Sequence, residues 1–425
     1  MSNNQQDHDF SLQAVPAESK RGFWSMFVVM LGFTFFSASM LAGGTLGASL
    51  NFKDFIITVL VGNLILGVYC SLLAYISSST SLSTHMLARY SFGEKGSYLA
   101  SFILSITQIG WFGVGIAMFA LPVQKITGIN LYLLIGITGI LMTSSAYFGI
   151  KTLTILSIIA VPSIAILGSL SVHKAISSVG GIAQLSQIAP VNQMSIGAAL
   201  SVCVGSFISG GTLTPDFIRF AKNKKIAVST TMIAFFIGNS SMFTFGAVGA
   251  AVVGKADVSE VMFAQGLIIP AIIVLGFNIW TTNDNAIYAS GLGFSNITKL
   301  PKNKLVLFNG AVGTIGALYL YNNFVGWLNL LNSIIPPIGA VIIADFFFVN
   351  REKYKTFDKE NFENVNINAI LAWIIGVIAS KFIPGIPPIN GVIVSALVFV
   401  IMSKIFNPKA FIEKNKQKVG EHIAN

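Results

Sequence analysis

Long apolar runs without a charged side chain alternate with short, mostly basic connections along nearly the whole chain. The runs cover residues 24–44, 55–79, 97–121, 130–149, 152–172, 196–215, 226–254, 261–283, 305–320, 324–344, 367–380 and 386–403. At 1.5 Å per residue most of them cross about 30 Å of hydrocarbon, and the shorter ones do so with their polar ends included. In lipid each backbone polar group must be bonded within the protein, so uniform runs of this length predict helices. A barrel would read instead as alternating segments of about ten residues. The expected fold class is an all-α polytopic membrane protein with 12 transmembrane helices.

The first and sixth runs share a short echo. Gly43-Gly44-Thr45-Leu46 in one matches Gly210-Gly211-Thr212-Leu213 in the other. The two lie five spans apart, so equivalent segments would enter the membrane in opposite directions, as an inverted repeat requires. Both segments are also rich in Gly and Ser, where helical hydrogen bonding lapses. Irregular backbone at membrane depth survives only where protein or a water-filled cavity satisfies it, so paired interruptions predict a substrate site at the repeat interface. Close helix packing through small residues is the competing reading of the same glycines.

Composition excludes a soluble globule. Hydrophobic residues make up 54% and charged residues 10%, against about 25% charge in soluble domains. The net charge of +10 does not point to nucleic acid, because the basic residues are scattered between apolar runs as topology signals. If both termini share a side, 21 of the 26 Lys and Arg fall in segments on that side and 5 on the other. The termini are therefore expected in the cytoplasm. Cys70 and Cys203 lie inside apolar runs and suggest neither a disulfide nor a zinc site. Residues 1–22 are polar and carry no pattern of a cleaved signal.

Polar side chains inside the spans are mostly uncharged, which suits a neutral solute. Gln108 and Trp111 share a helical face at i, i+3; an amide beside a large aromatic would orient a flat heterocycle, or would simply pack in the bundle. Asn278-Ile279-Trp280-Thr281-Thr282-Asn283-Asp284-Asn285 reads as an unusually polar end to the eighth span. Asn278, Thr281 and Thr282 are spaced i, i+3, i+4, so a carbonyl and two hydroxyls could meet on a sodium ion; alternatively the hydroxyls bond back to the preceding turn. Asp216, Asp284 and Asp345 could carry protons or anchor at interfaces. His85 and His173 fall in connections, where solvation is expected. Gly110-Trp111-Phe112-Gly113-Val114-Gly115 lacks the strand and the Lys-Ser/Thr ending of a nucleotide loop. No enzyme constellation is readable, and interrupted helices in one pseudo-symmetric chain favour a carrier over a channel.

Four motifs together are specific: Leu31-Gly32-Phe33-Thr34-Phe35-Phe36-Ser37-Ala38-Ser39-Met40, Gln108 to Gly115, Gly205-Ser206-Phe207-Ile208-Ser209, and Asn278 to Asn285. From about residue 20 to beyond 390 the chain resembles the nucleobase:cation symporter-1 family. The resemblance implies a LeuT-type fold, a 5+5 inverted repeat with helices 1 and 6 broken and two peripheral helices added. It divides the chain into a cytoplasmic tail (1–22), repeat one (23–173), an extracellular connection (174–195), repeat two (196–348), the peripheral helices (349–406) and a second cytoplasmic tail (407–425).

The same resemblance implies sodium-coupled uptake of cytosine by alternating access, in a monomer embedded in the bilayer of a bacterial inner membrane, without nucleic acid or organic cofactor. The base would stack between Trp111 and Phe207. Its polar edge would be read by Gln108, Ser206, Asn283 with Asn278 in reserve, and backbone near Phe36. Sodium would be held by the carbonyls of Gly32, Phe35 and Asn278 and the hydroxyls of Thr281 and Thr282. Rival expectations are a proton-coupled carrier of nucleobases or allantoin-like rings and a passive nucleobase facilitator.

Overall fold

A computed structural model of the chain describes residues 9–190, 193–351, 353–355, 357 and 361–406. The tail 407–425 lies outside the described residues. Six helices among them are long and apolar enough to cross a membrane, and the pair Phe23–Thr34 and Ser37–Ser49, bent by 55°, forms a seventh such span. Leu131–Tyr147, Ile196–Gly205 and Ile367–Phe382 are shorter apolar helices, and Ile268–Thr298 and Lys302–Ile315 stand at the eighth and ninth expected spans.

Local chemistry delimits the spans. The Asn51 side chain accepts the Asp54 N–H at 2.9 Å and starts the second span, Phe52–Thr80; Asn130, Ser195, Asn223 and Asn366 cap the fourth, sixth, seventh and eleventh in the same way. Such caps satisfy N–H groups that the first helical turn leaves free. Gly128 (φ 73°) and Gly254 (φ 70°) end the third span, Gly96–Thr127, and the seventh, Lys224–Val253, in the left-handed conformation that glycine adopts without strain. Large apolar side chains such as Leu64, Ile140, Ile158 and Leu170 are exposed on the outside of the bundle, as a lipid-facing surface requires.

The first and sixth spans are broken. The first interrupts at Phe35 and Phe36, whose backbone is extended (ψ 82° and 127°). The sixth runs as Ile196–Gly205, a single turn Ile208–Gly211 and Thr214–Ile218, with irregular backbone at Phe207 and Leu213. The Gly-Gly echo divides between the two readings offered for it. Gly210 and Gly211 lie in the irregular stretch, whereas Gly43 and Gly44 sit in regular helix pressed against the seventh span and the loop after it. There a Cβ on Gly43 would come within 2.6 Å of the Phe243 Cα, and one on Gly44 within 3.1 Å of the Ala256 Cα. In the first span the glycines serve packing, and the break falls at two phenylalanines.

The eighth span also differs from expectation. It is a 31-residue helix, Ile268–Thr298, and its polar stretch lies mid-helix, not at the end. Nearly every residue from Asn278 to Asn296 is buried against other helices, so the protein itself accommodates polarity that a charge-free window treats as a boundary. His85 is buried too, at 1% exposure, on the short helix Thr84–Phe92 between the second and third spans.

Residues 9–21, expected as part of a loose tail, form a strap across the face on which the chain begins. Asp9 is ion-paired with Lys302 at 2.7 Å and accepts the Ile150 N–H at 3.0 Å. The Arg219 guanidinium donates to the Asp9 and Phe10 carbonyls at 2.7 and 2.9 Å, and to the Tyr288 hydroxyl at 3.1 Å. Val15 N–H reaches Ser81 O, and Arg21 pairs with the backbone on either side of Ala221. This face is termed the strap face below.

Candidate functional site

The two breaks meet the third and eighth spans in the middle of the bundle. Between them lies a cavity bordered by Phe36, Gln108, Trp111, Ser206, Phe207 and Asn283 together with Thr282, Gly115 and Ser209. Six of the seven residues expected to bind substrate therefore share one wall-to-wall space. Asn278, held in reserve, does not border it. Its Nδ2 donates to Phe35 O at 3.1 Å, and its Oδ1 accepts from the Ser37 hydroxyl, so it ties the eighth span to the break in the first.

The cavity is apolar with a few polar points. Phe36 meets Trp111 edge-on at 5.1 Å and Phe207 at 5.9 Å. Phe207 is held in turn by Phe33 and Phe235, both edge-on. The Gln108 Nε2 is buried without a hydrogen-bond partner among the described residues. The Ser206 hydroxyl donates to Cys203 O at 2.8 Å and keeps its lone pairs. An unmet amide donor in a dry space is costly, and a ligand that accepts from it recovers that cost.

Three of the five residues expected to hold sodium, Asn278, Thr281 and Thr282, lie on one turn of the eighth span beside this cavity. Thr281 Oγ1 and Thr282 Oγ1 stand 3.1 and 3.0 Å from the Asn278 carbonyl oxygen, bonded back to the preceding turn. The back-bonded alternative is thus present, and it gathers three neutral oxygens in one place. A hydroxyl that turns its proton aside offers a lone pair to a cation, so the donor set suits an alkali ion. Gly32, one turn before Phe35, packs on Ser157 of the fifth span, Ile150–Ser178. No group of three or more His, Cys, Asp or Glu able to hold a metal exists among the described residues.

All three acids expected as alternatives are buried, and Asp345 accepts from Asn350 at 2.7 Å and from the Tyr354 hydroxyl at 2.6 Å. Asp284 Oδ1 accepts from Ser145 at 2.7 Å, and its Oδ2 has no partner among the described residues. Asp216 lies 3.5 Å from His85, both shielded from solvent.

Phe33, Gly115, Met118, Ser209, Phe217 and Asn285 also border the cavity and were not singled out from sequence. A signal existed for two of them, since Gly115 and Met118 continue the stripe of Gln108 and Trp111 at helical spacing.

A second, wider cavity lies on the face opposite the strap, between the second half of the first span, the first half of the sixth and the ends of the tenth to twelfth; it shares Gly205 and Ser206 with the first. Towards the strap, buried Leu213 and Phe217 floor the inner cavity. Gly205 and Ser206 thus stand between the inner cavity and the wide one, and Leu213 and Phe217 between the inner cavity and the strap.

Comparison with known proteins agrees with this architecture. Residues 14–403 match the family described as permeases for cytosine/purines, uracil, thiamine and allantoin. Cytosine permease of Escherichia coli (strain K12) is 54% identical over 404 residues, covering 95% of this chain and 96% of that protein. Hydantoin permease of Microbacterium maritypicum is 21% identical over 427 residues, 90% of this chain and 86% of the relative. Among solved structures, the nucleobase-cation-symport-1 transporter Mhp1, closed with bromovinylhydantoin bound, superposes with a TM-score of 0.79 at 19% identity, covering 92% and 94% of the two chains. A sodium-coupled sialic acid symporter in a substrate-bound outward-open state gives 0.72 at 14% identity, over 95% and 92%.

Fold and site define a membrane transporter of the LeuT type, not an enzyme. Within that class the chain belongs to the cytosine/purine permease family, the nucleobase:cation symporter-1 family that its motifs resemble.

Proposed function

We propose that this nucleobase transporter is a sodium-coupled cytosine symporter that works by alternating access. The observation that carries the reading is adjacency. Each ion-side group has a substrate-side neighbour in the chain: the Phe35 carbonyl precedes the Phe36 ring, and Thr282 precedes Asn283. An ion that draws the first and eighth spans together orders the substrate wall at the same time. By linkage, cytosine then tightens sodium by the factor with which sodium tightens cytosine. The close kinship to a protein named cytosine permease supports the substrate.

In this reading cytosine enters from the wide cavity and stacks between Trp111 and Phe207, with Phe36 bracing both rings. Gln108 donates to a ring acceptor. Sodium sits among the oxygens of Asn278, Thr281 and Thr282 and the Phe35 and Gly32 carbonyls, where it neutralises nothing and needs no carboxylate. The strap holds the other face shut until both ligands are in place.

The test is uptake in sealed proteoliposomes. An inward sodium gradient at equal pH should concentrate cytosine above its external level. Uptake that stops at equilibrium would mark a facilitator. Uptake driven by a proton gradient and indifferent to sodium would move coupling to Asp284, whose unpartnered oxygen is the feature favouring that alternative.

A further inference from the structure

The amide of Asn283 is held in one orientation. Its Nδ2 donates to the Phe112 carbonyl of the third span at 3.0 Å and lies 3.3 Å from Met142 Sδ. Both partners accept and neither donates, so a flipped amide would set oxygen against oxygen on one side and oxygen against sulfur on the other. The remaining atom, Oδ1, lies over Gly115: a Cβ built on Gly115 would overlap Oδ1 and come within 2.8 Å of the Asn283 Cγ. Gly115 and Asn283 both border the cavity, Asn283 is only 3% exposed, and no described residue donates to Oδ1. Opposite in kind stands Gln108 Nε2, a buried donor without an acceptor.

We propose that Gly115 and the Phe112 carbonyl together set Asn283 as a fixed hydrogen-bond acceptor towards the cavity, so that the site selects pyrimidines carrying an exocyclic amino group; Gly115 is the positioning residue for this selection. The inference rests on the cytosine reading above and adds to it the atom that discriminates. A 4-amino pyrimidine brings a donor to Oδ1 and acceptors at N3 and O2 for Gln108. In a 4-oxo ring such as uracil the amino donor becomes an acceptor and N3 becomes a donor. Oδ1 then faces a carbonyl, and a site built to bond a group strongly rejects the analogue that lacks it. An adaptable amide would turn over and accept either ring. The clasp on Nδ2 denies that freedom, and the space left by the missing side chain of Gly115 is what lets the clasped amide fit.

The experiment is calorimetric binding to the purified full-length protein in saturating sodium, using cytosine, uracil and pyrimidin-2-one, which keeps N3 and O2 but has no amino group. Wild type should bind cytosine at least tenfold tighter than either analogue. Gly115→Ala should weaken cytosine and leave pyrimidin-2-one within about threefold of its wild-type value, closing the gap. Asn283→Ala, which removes atoms and so does not strain the fold, should close it as well. Trp111→Ala should weaken cytosine and pyrimidin-2-one alike. A cytosine preference that survives in both Gly115→Ala and Asn283→Ala overturns the proposal, as does equal weakening of the two ligands by Gly115→Ala. A wild-type protein that binds cytosine and pyrimidin-2-one equally overturns this inference while the cytosine reading stands; one that binds no cytosine overturns that reading and this one with it.

Discussion

Trp111 and Thr281 separate the two ligands at the scale of single side chains. Trp111→Ala removes one stacking face, worth about 1–3 kcal/mol per base. Cytosine affinity should therefore fall by about 5- to 150-fold at fixed sodium, as read by calorimetry; unchanged affinity would exclude the sandwich. Thr281→Ala takes away an oxygen on the ion side without touching the cavity wall. It should raise the sodium concentration needed for half-maximal cytosine binding several-fold, with cytosine affinity at saturating sodium close to wild type. The stripe of Gln108 and Trp111, and the spacing of Asn278, Thr281 and Thr282, were legible because helical geometry alone puts those groups side by side. The role of Gly115 was not, since the atom it makes room for belongs to Asn283, distant in the chain and brought near only by packing of the third span against the eighth. The position of the first break was equally hidden. Phe35 and Phe36 carry no helix-breaking signature, and what leaves them extended is the bonding of Asn278 to the Phe35 carbonyl and Ser37 across the gap.

At the scale of elements, the charge-free runs marked twelve spans because lipid punishes an unmet charge more than any other feature of sequence. They misjudged the eighth, where Ser145 and neighbouring helices absorb the polarity of Asn278 to Asn285. They also gave no sign that residues 9–21 are structural, because a strap held by carbonyls and one ion pair has no periodicity to read. Its contribution is measurable. Removing one partner of a buried ion pair costs about 3–5 kcal/mol, so Asp9→Ala, which leaves Lys302 unpaired, should speed hydrogen exchange of the amides from Phe217 to Lys222 by more than tenfold. Amides in the middle of the third span should not change. Equal exchange in mutant and wild type would show that the strap does not hold that face. Burial, and secondarily the charge of Arg219, lower the Lys20 amine from 10.5 to about 8, while its Nζ donates to the Arg219 carbonyl at 2.6 Å. Between pH 8 and 10.5 the unfolded chain binds this proton and the folded one does not, so Lys20 favours the folded state increasingly as pH rises through that window. The melting temperature of wild type should thus gain on that of Lys20→Met from pH 7.5 to 9.5; a constant difference would refute the shift.

The whole molecule is asymmetric about its own pseudo-symmetry. On one face the wide cavity comes up to Gly205 and Ser206 of the central site, while Leu213, Phe217 and the strap lie on the other side. In the alternating-access cycle proposed above this arrangement reverses, and the components that would part on the strap face are bonded ones: Asp9 from Lys302, and the Asp9 and Phe10 carbonyls from Arg219. On the opposite face the halves Ser37–Ser49 and Ile196–Gly205 border open space. In that proposed cycle, opening of the strap face meets the larger enthalpic resistance, which holds it shut while the ligands assemble.

The link between Asp9 and Lys302 also bears on how the protein is made. The ninth span begins at Lys302, so the opening residues of the chain cannot find their partner until more than two-thirds of the polypeptide has been synthesised and inserted. During that interval the strap can already bond Ser81, Ile150, Arg219 and the backbone around Ala221, but the ion pair that locks its first residue is missing. Locking the strap with its ion pair is thus a late act of assembly, which ties the opening of the chain to Lys302 only once the ninth span is in place.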